Sequence, residues 1–301
     1  MSKPKMPSIL TIKTRILRAF ELDTKQFDPS HRFETSWILS PWALFACRFV
    51  SFLYIFTTRI VLVVLYCIQD SCAASRDELS YFTVLTFYGL CFYFLFSSLH
   101  TLTYCLQGKP LLARWPHLLQ AMHRLYYTTI CIMPVIVTIV FWSIIYDGMW
   151  FPNVRDAWAN VSQHAMNLVF ALFEIIIPRT PAPPSTHTFW ISIIMILYLI
   201  LAYFTNATRH FYPYSFLDPG SDGAGSMGMV IAYIIGIWAG FFVAFFAFKY
   251  LVTLRIWLTE NKWNMTGKFS KRDGMVIRNF PEDKPENVEA AAVTIARKSD
   301  V

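Results

Sequence analysis

Three short stretches of the chain hold the side chains that could do chemistry. Ser80-Tyr81-Phe82-Thr83-Val84-Leu85-Thr86-Phe87 opens an apolar run and sets two threonines three residues apart, a spacing that shares a helical face. Ser162-Gln163-His164-Ala165-Met166-Asn167 opens another, with His164 and Asn167 at the same spacing and Glu174 further along the stripe. A third stretch, Arg209-His210-Phe211-Tyr212-Pro213-Tyr214-Ser215-Phe216-Leu217-Asp218, joins two later apolar runs. A hydroxyl, an imidazole and a carboxylate are parts of an acyl-transfer site. Threonine is a weak nucleophile until a nearby base removes its proton, and an imidazole of near-neutral pKa can take that proton and return it. Two other chemistries use overlapping residues. His164, His210 and Asp218 could ligate a metal that activates water, and Arg59, His164 and Glu174 could line a transport path. Each residue also has a plainer role. A threonine in a membrane helix usually bonds the carbonyl one turn back, and a histidine at an interface can serve as an anchor. Glu174 stands about 15 Å from His164 along a helix, too far to orient its ring.

These residues must be positioned by membrane helices. The chain has 301 residues, of which 55% are hydrophobic, 17% aromatic and only 15% charged, a balance that fits a lipid solvent and excludes an ordinary soluble domain. Apolar runs near the roughly 20 residues needed to span a hydrocarbon core fall at 44–68, 81–106, 125–146, 164–177, 189–204 and 229–254. The fourth and fifth are short, with Trp158 and Trp190 near their ends, and Pro134 is expected to kink the third. The expected architecture is an all-α polytopic bundle of about six transmembrane helices: a polar, basic segment over 1–43, a membrane domain over 44–257 and a disordered tail over 258–301.

The charges orient this bundle. Lys109, Arg114 and Arg124 follow the second span, Arg179 follows the fourth, and the tail is basic from Arg255 to Lys298. The loops after spans one, three and five carry one arginine each, Arg76, Arg155 and Arg209, among Asp70, Asp77, Glu78, Asp147, Asp156, Asp218 and Asp222. The positive-inside rule then places both termini in the cytosol and gathers Thr83, His164 and the 209–218 loop in the outer leaflet. The first forty residues carry no apolar signal core, so the first span is expected to direct insertion. The net charge of +7 sits mainly in the tails rather than on an aromatic-studded face, so no nucleic-acid partner is expected. Cys47, Cys91, Cys105 and Cys131 read as small buried hydrophobes, while Cys67 and Cys72 beside the first loop are the pair that could join. Arg48 is expected to snorkel to the cytosol and Arg59 to reach the outer interface or an acidic partner.

Tyr81-Phe82-Thr83, Phe141-Trp142-Ser143-Ile144-Ile145-Tyr146-Asp147, His164-Ala165-Met166 and Tyr212-Pro213-Tyr214-Ser215-Phe216-Leu217-Asp218 occur in the order found in the androgen-induced family of membrane proteins, which the chain resembles from about Asp77 to Leu254. The resemblance implies a multi-pass threonine hydrolase that cleaves fatty acid esters of hydroxy fatty acids without a cofactor, in the endoplasmic reticulum or plasma membrane. It makes Thr83 the nucleophile and His164 the base. Leu79 stands where animal members carry a tryptophan, and Thr86, one turn on, is an alternative nucleophile. Asn167, His210 and Asp218 are candidates for oxyanion donor or for the group that holds the imidazole. A lipid substrate and the bilayer are the expected partners.

Overall fold

The computed structural model describes residues 27–69 and 71–265. The expectations for 1–26 and for most of the C-terminal tail lie outside the described residues. Helix α1 runs Pro41–Gln69, a short α2 Cys72–Asp77, α3 Phe82–Gln107, α4 His117–Val140, α5 Val154–Val161, α6 Asn167–Ile176, α7 His187–Arg209 and α8 Met227–Ile256. Turns of π-helix extend α4 over Phe141–Ile145 and α8 over Trp257–Lys262, and a third, Ser162–Met166, joins α5 to α6 without a break. No strand occurs among the described residues beyond one isolated bridge, Ser36 to Pro178.

Among the described residues, five helices are long and apolar enough to cross a membrane: α1, α3, α4 with its π turn, α7, and α8 with its π turn. The chain is therefore a multi-pass, all-α membrane protein. The expected fourth span is the exception, because Arg155, Asp156, Gln163, His164 and Glu174 dilute its apolarity. Its three segments of 8, 5 and 10 residues nonetheless run on for roughly 35 Å. Both spans read as short from sequence thus extend well beyond their apolar stretches. Asn153 caps α5 by accepting from the Asp156 amide, and Ser226 caps α8 by accepting from that of Met229. Helix α3 stops at Gly108, whose φ of 72° is left-handed, and α7 stops at His210 with φ of 60°.

The 71–81, 146–153 and 210–226 connections meet at one end of the bundle. Arg209 pairs with Asp77 at 3.0 Å, Arg155 reaches Gln69 at 2.8 Å, and Arg59 pairs with Glu78 at 3.1 Å while stacking over the Tyr88 ring. Cys67 and Cys72 are joined as a disulfide at this end. Cys91, Cys105 and Cys131 are buried, but Cys47 is exposed on the outer face of α1.

Arg48 does not snorkel. Its Nε and Nη2 each donate to the Glu174 carboxylate at 2.8 Å, and Nη1 donates to the Phe33 carbonyl and to Thr101. Tyr93 donates to the same carboxylate at 3.2 Å. Both ions are fully buried, so each satisfies the other where neither could be left alone. The Phe33 carbonyl arrives because residues 27–40 fold against the bundle rather than trailing from it. Ser36 Oγ donates to Ile177 O, Trp37 Nε1 to Ile176 O, and Arg32 makes a two-pronged pair with Glu260.

Candidate active site

Thr83 lies in the first turn of α3, where backbone N–H groups have no intrahelical acceptor and the helix presents its positive end. The Tyr214 hydroxyl approaches from the 210–226 connection, 3.3 Å from Thr83 Oγ1 and 3.3 Å from the Thr83 amide, from which it accepts. Burial raises the Tyr214 phenol above its ordinary pKa, partly offset by its bonds with Thr83, so it remains a neutral O–H. Its ring stacks on Phe216 at 5.1 Å and meets Tyr81 edge-on, which fixes the hydroxyl in place.

His164 sits within the π turn between α5 and α6, and its ring lies flat on Phe141, 3.6 Å between centroids and 7° from parallel. Phe141 itself opens the π turn after α4. Two irregular helical turns thus abut here, and π-bulges inside helices recur at functional sites because they re-aim side chains. His164 Nδ1 is buried with no hydrogen-bond partner. Thr83 and His164 line one polar cavity with Tyr214, Tyr81, Asn160 and Gln163. Asp77 and Glu78 also face it, each held by an arginine, Arg209 and Arg59. Burial raises the Glu78 carboxyl and Arg59 opposes that shift.

The other candidate residues are placed elsewhere. Thr86 is buried with its hydroxyl unpartnered and lines a different, apolar groove beside Gly89, Met122, Tyr126 and Leu197. Asn167 accepts from Thr138 at 3.1 Å, and its amide nitrogen has no partner. His210 is the left-handed terminator of α7. Asp218 shapes its own loop: Oδ1 accepts from the Gly220 amide, and its carbonyl would lie 2.4 Å from a Cβ at position 223, which only glycine avoids. The described residues gather no group of three or more His, Cys, Asp or Glu that could hold a metal ion, so His164, His210 and Asp218 form no ligand set. Glu174 is closed within its ion pair with Arg48, and Arg59 within its own with Glu78.

The family model for FAR-17a/AIG1-like proteins matches residues 49–254. The chain belongs to this family. No curated protein and no solved structure matches it. The matched region contains Thr83, His164 and Tyr214 and leaves out the 27–40 segment that closes the opposite end of this FAR-17a/AIG1-like bundle. Sequence reasoning quoted the Tyr-Pro-Tyr loop but assigned Tyr214 no part in the site. The available signal was a pair of tyrosines around a proline in a connection that the charge pattern already set beside the Thr83 end. Phe141, the platform under His164, opens one of the motifs that carry the family resemblance, but nothing in the sequence assigns it a part in the site.

Proposed function

We propose that this chain is a membrane-embedded ester hydrolase that cleaves fatty acid esters of hydroxy fatty acids, with Thr83 as nucleophile and His164 as general base. One observation carries the reading: Thr83 and His164 line a single polar cavity, while Thr86 opens onto a different, apolar groove. Thr83 Oγ1 attacks the ester carbonyl as His164 takes its proton. The resulting oxyanion is met by the Tyr214 hydroxyl at the positive end of α3, a donor fixed before the charge develops. Collapse of this intermediate breaks the bond to the alcohol oxygen, which leaves with the proton held by His164. His164 then deprotonates a water in the polar cavity. The hydroxide attacks the acyl-threonine ester, releasing the fatty acid and restoring Thr83.

The Cys67–Cys72 disulfide supports an oxidising compartment for this end of the bundle, and so an outer or lumenal site in the endoplasmic reticulum or plasma membrane with both termini cytosolic. The test is hydrolysis of a branched fatty acid ester of a hydroxy fatty acid by purified wild type, Thr83→Ala, Thr86→Ala and His164→Ala. Rates should fall at least about 100-fold in the first and last variants and by less than about threefold in Thr86→Ala, unaffected by chelator. Full activity in Thr83→Ala would overturn the assignment.

A further inference from the structure

Thr83 stands in the wall between two cavities of opposite character. The polar one holds His164 and the arginine-paired carboxylates described above. The second lies between α4, α7 and α8, and its walls are Ile136, Val140, Met195, Leu199, Ile237 and Phe241. The hydroxyl-bearing side chains among its lining residues are Thr83, Tyr198 and Tyr214. Helix direction gives its depth. Helix α4 arrives at the Thr83 end through Val140 and Phe141, and α8 departs from that end, so Ile136 and Phe241 lie at the bottom. From Ile234 to Phe241 is roughly 10 Å along the axis of α8. On its flank Ile196 and Trp238, both lining residues, are 47% and 36% exposed on the outer faces of α7 and α8. The cavity is therefore open sideways, toward the acyl region of the bilayer.

The geometry points to this cavity as the site of the substrate's acyl chain. With the ester carbonyl at Thr83, the chain descends between α4, α7 and α8, and whatever exceeds the depth of the cavity leaves past Ile196 and Trp238 into lipid. The ester's alcohol oxygen and the attacking water face the His164 cavity, whose lining carries the ion-paired Asp77 and Glu78. Lipid is as apolar as these walls, so a chain gains little by the transfer and selection rests on shape. The position of the carbonyl rests on the hydrolase reading; occupancy of the cavity by a chain does not.

The experiment separates the two. Thr83→Ala protein in phosphatidylcholine nanodiscs is photolabelled with a non-hydrolysable ether analogue bearing a diazirine on its long chain, and labelled peptides are mapped. Labels are expected on the 195–199 and 234–241 segments, reduced at least about fivefold when Ile237→Trp fills the cavity. In the otherwise wild-type chain, Ile237→Trp should lower the ratio of long-chain to acetyl ester turnover at least about tenfold. Labels confined to the groove beside Thr86 or to the polar cavity, or an unchanged turnover ratio, would overturn the assignment. Labels in the cavity together with a wild type that hydrolyses neither ester would leave the acyl site standing and sink the hydrolase reading alone.

Discussion

Replacing Tyr214 with phenylalanine distinguishes a residue that merely holds Thr83 from one that acts on the transition state. In the resting structure the phenol makes a neutral contact of 3.3 Å with Thr83 Oγ1 and another with the Thr83 amide. A bond of that kind contributes about 0.5–1.5 kcal/mol, so losing it alone slows the reaction by at most about tenfold. An oxyanion donor lost from a preorganised site costs about 100- to 1,000-fold, or roughly 2.7–4 kcal/mol. Phenylalanine keeps the stack on Phe216 and the edge contact with Tyr81, so the loop and the nucleophile stay in place. The amide left without its acceptor belongs to the first helical turn, where water in the adjoining cavity can replace the phenol. The assay is kcat and KM on the long-chain ester, with the melting temperature in detergent as the folding control. The expected result is kcat reduced about 100- to 1,000-fold with KM within about threefold, because the donor serves charge that exists only in the transition state. A loss of tenfold or less in a folded variant refutes the oxyanion role and leaves Tyr214 as packing.

Two further predictions concern the opposite end. Glu174→Leu strands Arg48 as a buried unpaired cation and should cost about 3–5 kcal/mol, while adding Arg48→Met should recover most of it; single-variant unfolding within about 1 kcal/mol of wild type would show that the pair does not hold α1 to α6. Glu34 is held well above the usual carboxylate range by burial and then by Asp28, with Arg48 opposing. A carboxyl raised in this way gives stability that is complete below its unfolded pKa and fades as pH rises through the folded one. Glu34→Gln does not titrate, so its melting temperature should exceed that of wild type by a margin that grows from about pH 5 to about pH 8. A constant or shrinking margin refutes this.

Hydropathy made the bundle legible, because a bilayer demands long apolar helices. The same rules brought Thr83 and His164 to one end through alternation of helix direction. They could not choose between Thr83 and Thr86. Residues three apart differ by about 60° around a helix, enough here for one to meet the polar cavity and the other a lipid-side groove. Nor could local reasoning find the partners that lie far off in sequence. Tyr214 reaches Thr83 across 131 positions, and Arg48 reaches Glu174 across 126. The cost of a charge in a span did flag Glu174 as facing inward, and it was the identity of its partner that only packing revealed. The 27–40 segment falls in the stretch that reads as polar, basic and cytosolic, yet Phe33, Glu34 and Thr35 are buried, because its own hydrophobe and the carbonyl bonded by Arg48 complete the ion-pair network.

The difference between the two threonines also bears on why an ester hydrolase in a membrane would place its nucleophile at the start of a helix. Acylation needs a lipid carbonyl, but deacylation needs water, and the two solvents overlap only near an interface. Thr83 lies where an apolar cavity and a polar one share a wall, so the acyl chain can remain in one while water enters the other. Thr86, one turn deeper and facing an apolar groove, could at best be acylated once, since no imidazole or carboxylate lines that groove to activate water toward the ester. A site moved by one turn would therefore trade a catalyst for a covalent trap. Kinetically, acylation of Thr86 would give at most a single burst of product with no steady state, so Thr83→Ala should show no sustained turnover while Thr86→Ala keeps both burst and steady state. Pre-steady-state traces of the Thr83 and Thr86 variants thus test the placement of the nucleophile independently of any measured steady-state rate.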